Sequence, residues 1–151
     1  MERQQIMNEI EGILAGEGNR EGKLREVCKI LHQNIPYYSW VGFYMADEGK
    51  KELHLGPFVG EATEHVVIPF GRGICGQAAV KRETFLVPDV SKEENYLSCS
   101  PRVKSEIVVP VMKGDRMVAQ LDIDSHEINA FSEEDKKFLE EVCERVAKLF
   151  D

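Results

Sequence analysis

No stretch of this sequence approaches the roughly 18 consecutive apolar residues that a membrane-spanning helix needs. The opening residues, MERQQIMNEI, also lack the apolar segment of a secretory signal. The expected compartment is therefore the cytoplasm, where thiols stay reduced and lasting disulfides are rare. Positive charge is scarce. Nineteen Lys and Arg stand against 27 Asp and Glu, a formal net charge of −8. A phosphate backbone or an anionic lipid surface would be repelled, so neither nucleic acid nor membrane is an expected partner. Internal repeats, low-complexity tracts and linkers are missing too. One domain over residues 1–151 is expected, long enough to hide roughly 70% of the surface an unfolded chain exposes. The four cysteines form no CxxC pair, and the four histidines no HxxxH pair. They read as core fillers or as chemistry, not as a secreted staple framework.

What is present begins with helical periodicity. Ile6, Ile10, Ile13 and Leu14 share a stripe that Gly16 and Gly18 end. Leu24, Val27, Cys28, Leu31 and Ile35 form a second stripe, stopped by Pro36. Strands follow: SWVGFYM, LHLGPF, EHVVIPF (which includes His65), TFLVPDV, and a hairpin of SEIVVPVM and RMVAQLDID across Lys113, Gly114 and Asp115. A short helix, GICGQAAVKR, and a long polar loop, SKEENYLSCSPR, interrupt them. The last helix has Ser132 as cap with Asp135 three residues on, and an apolar stripe through Phe138, Leu139, Val142, Cys143, Val146, Leu149 and Phe150. The order predicts an α+β fold, with helices over one face of a mostly antiparallel sheet.

The cysteines divide by surroundings. Cys28 and Cys143 sit on helical core stripes and read as small buried hydrophobes. Cys75 opens a helix after a glycine-rich turn, where the helix N-terminus can lower a thiol pKa. Cys99 lies in the polar loop near Arg102 and Lys104. The two are 24 residues apart, and spacing leaves open whether they are incidental thiols or partners. Strand alternation places Trp40, Gly42 and Tyr44 on one face, two aromatics flanking a notch. It also places Gln120, Asp122 and Asp124 on one face, as either a solvated surface or the wall of the same cavity, with Glu106 a third carboxylate. Carboxylates crowded on one site hold a cation, such as an ammonium group, or keep one acid protonated for proton transfer. His65, Cys75, Cys99 and His126 are ligand types that suit Zn²⁺, but without paired spacing no metal is expected.

WVGFY, LGPF, GRGICGQAA, VPDVS, KSEIVVPV and LDIDS, in that order, resemble the GAF-domain family of free methionine-(R)-sulfoxide reductases. The resemblance implies a six-stranded sheet between helices and a loop-covered ligand pocket. It implies an oxidoreductase that reduces free L-methionine-(R)-sulfoxide, with Cys99 as attacking thiol and Cys75 as the cysteine of the glycine-rich turn. Glu106, Asp122 and Asp124 match the acids that bind and activate substrate, and Trp40 and Tyr44 the aromatic wall. No bound cofactor is implied. Thioredoxin or another thiol would reduce the oxidised enzyme, and a homodimer is the implied assembly. A third cysteine usual in the family stands ten residues before Cys75; here that position is His65. Its absence leaves Cys75 as internal resolver of oxidised Cys99, or an external thiol in its place. His65 would then be a packing residue or tune a thiolate. The alternative function is a non-catalytic GAF module that binds a small ligand or senses thiol oxidation.

Overall fold

The computed structural model describes residues 2–97 and 100–151. Arg3–Ala15 (α1) and Arg20–Asn34 (α2) come first, and α2 starts where the Asn19 side chain accepts from the Gly22 N–H at 2.8 Å. It stops at Ile35 because Pro36 cannot continue a helix. The strands are Trp40–Asp47 (β1), Glu52–Val59 (β2), Val67–Pro69 (β3), Phe85–Val87 (β4), Ser105–Lys113 (β5) and Arg116–Ser125 (β6). Gly73–Lys81 (α3) separates β3 from β4, and Glu133–Val146 (α4) follows β6. The sheet order is β3-β2-β1-β6-β5-β4, every neighbouring pair antiparallel.

Alternation divides the central strands between two apolar layers. Val41 and Phe43 of β1, Ile107 and Val109 of β5, and Leu121 and Ile123 of β6 face α1, α2 and α4 in the larger core. Cys28 and Cys143 are buried in that layer, where burial pushes both thiols up. Trp40, Tyr44 and Val108 face the other way, toward α3 and the loops, in a smaller apolar cluster that includes Cys75. The expected arrangement, terminal helices on one face and a covered pocket on the other, is the observed one.

The α4 cap is reciprocal: Ser132 Oγ accepts from the Asp135 N–H, and the Asp135 carboxylate accepts from the Ser132 N–H. Asp135 also accepts from Tyr38 Oη at 2.6 Å, Tyr37 Oη at 3.0 Å and Arg3 at 2.5 Å. The cap thereby ties α1 and the α2–β1 connection to α4. The hairpin between β5 and β6 turns through Gly114 at φ 67°, a conformation cheap only for glycine.

Three expectations shift at their edges. His65 lies before β3 in irregular chain rather than inside a strand, and β3 is three residues long. β4 is equally short, because Pro88 has no N–H to extend its ladder. The apolar stripe of the last helix continues through a 3₁₀ turn, Ala147–Leu149, before Phe150.

Candidate active site

The pairing register assembles the acids. Trp40 pairs with Asp124 and Gly42 with Asp122 across β1 and β6, while Glu106 pairs with Asp124 across β5 and β6. Directly opposite residues on one face have Cβ atoms about 4.5–5.5 Å apart. Three adjacent strands thus bring Trp40, Asp124 and Glu106 into one row, with Asp122 a step along. All three carboxylates are buried: Glu106 is 6% exposed, Asp122 5% and Asp124 1%. The solvated-surface reading of Asp122 and Asp124 is excluded by that burial.

Gly42 is open to its neighbour, not to a ligand. A Cβ there would lie 2.5 Å from Trp40 Cη2 and 2.8 Å from Phe58 Cβ. The expected notch between the aromatics is therefore filled by the Trp40 indole itself, lying back over β1. A bulge between Gly42 and Tyr44, where β2 passes Gly56 and Pro57, brings Phe58 opposite Gly42. There Phe58 stacks on Trp40 with ring centroids 5.5 Å apart. The indole Nε1–H donates to the Glu61 carbonyl at 2.9 Å, which fixes the ring in plane.

Cys75 reaches the acids from the opposite side. Gly76 in α3 permits a close approach of chain: a Cβ there would stand 2.7 Å from the Pro69 carbonyl oxygen. The buried Gln120 amide donates to the Cys75 carbonyl at 2.9 Å, holding the first turn of α3 to β6. Ligand atoms of Cys75, Glu106 and Asp122 all lie within 4.8 Å of one another. Among the described residues this is the set of thiol and carboxylate groups close enough together to hold one metal ion, and neither His65 nor His126 belongs to it.

The electrostatics follow from crowding. Burial pushes the Glu106 carboxyl well above the usual range, and Asp122 and Asp124 push it further. Burial raises Asp122 too, while hydrogen bonding with Glu106 and Cys75 holds it back. A buried set of this kind retains a proton where isolated carboxylates would have lost theirs. Cys75 departs from expectation. It does lie in the first turn of α3, but burial, followed by the charges of Asp122, Glu106 and Asp124, drives its thiol well above the ordinary value. Desolvation beside anions outweighs the helix N-terminus, so Cys75 is a thiol here and not an activated thiolate.

The space around these groups has two lobes rather than the single void expected. Trp40 and Asp124 border a cavity of ≈200 Å³ with Ser39, Glu61, Ser100 and Arg102. Tyr44, His65, Cys75, Glu106 and Asp122 border a cleft of ≈20 Å³, about the size that admits one water. Glu106 of the cleft pairs with Asp124 of the cavity across β5 and β6. Asp122 lines the cleft, and its Oδ1 is buried with no hydrogen-bond partner among the described residues. Larger hollows of ≈550, ≈460 and ≈320 Å³ open elsewhere and are lined by none of the candidate site residues.

The loop between β4 and β5 closes the face. Asn95 accepts from the Gly73 N–H at 2.8 Å and donates to the Gly71 carbonyl at 2.7 Å, clamping the loop to the glycine-rich turn. Leu97 then sits over Gly73, which has φ 68° and no room for a side chain. At the mouth of the larger lobe Arg102 meets Glu61 at 2.9 Å. Cys99 lies outside the described residues. His65 lines the cleft, and its carbonyl accepts from Tyr44 Oη at 2.9 Å. Asn95, Leu97, Phe58 and the Glu61–Arg102 pair carried no signal in local spacing; each acts only through a segment distant in sequence.

The profile of the GAF domain family matches residues 20–151. The chain is 39% identical over 146 residues to GAF domain-containing protein A of Dictyostelium discoideum, covering 97% of this chain and 88% of that protein. It is 32% identical over 160 residues to the free methionine-R-sulfoxide reductase of Saccharomyces cerevisiae, covering 98% and 87%. The solved structure of free methionine-R-sulfoxide reductase from Neisseria meningitidis in complex with its substrate superposes with a TM-score of 0.92 at 36% identity, covering 98% of this chain and 87% of that one. With this sheet order, this acid cluster and these relatives, the chain belongs to the GAF domain family, in the branch that contains the free methionine-R-sulfoxide reductases.

Proposed function

We propose that this protein reduces free L-methionine-(R)-sulfoxide to methionine, with Cys99 as the attacking thiol. The observation that carries the reading is the buried set of Glu106, Asp122 and Asp124 beside Cys75 and Trp40, on a face bordered by Leu97 and Ser100. Leu97 lines the Cys75 cleft and Ser100 the Trp40 cavity. The chain on either side of Cys99 therefore borders both lobes.

The chemistry proceeds in steps that balance. The sulfoxide's methyl end lies against Trp40 and Tyr44, and its ammonium group pairs with a carboxylate, Asp124 or Asp122. The proton retained on Glu106 passes to the sulfoxide oxygen and makes sulfur electrophilic. The Cys99 sulfur attacks, oxygen is transferred, methionine leaves, and Cys99 carries a sulfenic acid. The Cys75 sulfur then attacks the Cys99 sulfur to form a disulfide; its thiol proton passes by way of the adjacent Asp122 or Glu106 carboxylate to the leaving hydroxyl, which departs as water. A thioredoxin-type dithiol or another thiol takes up the oxidising equivalents by exchange. With His65 in place of a third cysteine, Cys75 is the internal resolver and His65 contributes packing at the rim of the cleft.

The test is methionine release from free L-methionine-(R)-sulfoxide with dithiothreitol, and separately with thioredoxin. Cys99→Ser is expected to abolish both activities. Cys75→Ser is expected to keep the dithiothreitol reaction and lose the thioredoxin one. Absence of turnover by the wild-type protein with either reductant would overturn the enzyme reading in favour of a ligand-binding or thiol-sensing GAF module.

A further inference from the structure

We propose that Arg102 is the specificity residue that selects a free amino acid, by taking its α-carboxylate at the mouth of the Trp40 cavity. The inference rests on the reductase reading and names a residue that reading leaves unused.

The ≈200 Å³ cavity is electrically asymmetric along its depth. Its inner wall carries Asp124, 1% exposed. Its rim carries Arg102, whose side chain is 66% exposed. An α-amino acid has the same asymmetry reversed: an ammonium group that suits Asp124 and a carboxylate that suits a guanidinium. Bound that way, its side chain is directed past Trp40 toward Glu106. A peptide-linked residue has no carboxylate to offer Arg102, and its chain continuation would run into the same rim.

Arg102 is placed for an exchange. Its Nη2 donates to Glu61 Oε2 at 2.9 Å, joining the loop before β5 to the loop after β2. Both side chains are more than half exposed, and ion pairs of that kind are weak, so a ligand carboxylate competes readily. The guanidinium fork also has enough N–H groups to hold a second carboxylate without releasing the first. Glu61 uses its main chain for another purpose: its carbonyl accepts from Trp40 Nε1–H. The indole thus sits beside the residue that holds Arg102 and borders the same cavity. Trp40 is the sole tryptophan of the chain, so its emission reports on that cavity.

The experiment compares L-methionine-(R)-sulfoxide with its C-terminal amide, which keeps the ammonium group and removes the carboxylate charge. Wild-type protein is expected to favour the free acid at least about tenfold in kcat/KM, the scale of one charge-assisted hydrogen-bonded contact. Arg102→Ala is expected to lose about that factor with the free acid, through KM at nearly constant kcat, and to leave the amide unaffected. Arg102→Lys, which keeps charge but not the planar fork, should restore part of the preference. Equal losses on both substrates, or no loss on either, would overturn the assignment. If the wild-type protein shows no turnover, the reductase reading fails, and the inference is judged on binding alone. Trp40 emission titrated with L-methionine and with L-methioninamide should then show the same preference and the same dependence on Arg102. Equal affinities, or no response to either, would sink it.

Discussion

Replacing Gly42 by alanine tests how the sheet holds its tryptophan. The new Cβ would stand 2.5 Å from Cη2 and 2.7 Å from Cζ3 of Trp40, and 2.8 Å from the Phe58 Cβ. Carbon atoms settle at about 3.5–4.0 Å, so the indole must retreat by roughly 1 Å. It has little room to do so. On its other edge, Cδ1 is 2.8 Å from where a Gly60 Cβ would be, and that residue's own backbone, at φ 128°, closes the side. Retreat also strains the Nε1–H bond to Glu61 and the stack on Phe58. Overpacking typically costs about 1–3 kcal/mol, and a lost hydrogen bond about 1 more. The expected destabilisation is therefore about 2–4 kcal/mol, or a fall in Tm of about 5–15 °C for a chain of this length. A thermal melt followed by Trp40 emission measures both the fall and the altered environment of the ring. Turnover should fall on the order of 10²-fold, because the wall of the cavity has moved. Gly12→Ala is the control. Nothing lies within 4 Å of its Cβ in α1, and alanine there should add about 0.5–1 kcal/mol. A Gly42→Ala protein with unchanged Tm and emission would refute the packing argument.

Other predictions follow from the electrostatics and the loop clamp. Glu106→Gln should cut turnover by about 10²–10⁴-fold if Glu106 is the proton donor, while the protein melts higher at neutral and alkaline pH. The sign follows from the raised carboxyl: the folded state binds a proton that the unfolded chain releases, so wild-type stability from this group is lost as pH rises. Asp135→Ala should cost about 3–5 kcal/mol in urea denaturation, since Arg3 and two tyrosines lose a shared buried acceptor. Burial opposes the Asp135 charge, yet the Ser132 N–H, Tyr38, Arg3 and Tyr37 together hold its carboxyl below the usual value. Its contribution is thus present above the unfolded pKa of about 4 and lost as pH falls through the lower folded value, a dependence absent from the alanine variant. Cys28 and Cys143 should resist alkylation until the protein unfolds, because burial raises both thiols; rapid labelling of either in native protein, read by mass spectrometry, would contradict this. Asn95→Ala should free the loop from the Gly71–Gly73 turn and raise KM several-fold at modest cost in Tm; equal KM would show that the clamp does not shape the site.

Which residues share a face was legible in the sequence because strand alternation is a local rule. Trp40, Gly42 and Tyr44 must share a face whatever the partner strand, as must Gln120, Asp122 and Asp124. The helical stripes of Cys28 and Cys143 were equally local, and so was the Ser132–Asp135 cap. Motifs in fixed order pointed to the family. Register was not legible, and register is what sets Asp124 between Trp40 and Glu106. Nor was the state of Cys75. Its sequence position promised a helix N-terminus; its burial among carboxylates, which comes from β5 and β6, reversed the expected shift. The filled notch over Gly42, the division of the pocket into two lobes and the meeting of Arg102 with Glu61 likewise arise between segments far apart in the chain. Composition and periodicity act within a few residues and determined the elements and their faces. Desolvation and charge proximity depend on distances across the fold, so only the tertiary structure decided which side chains meet and what protons they hold.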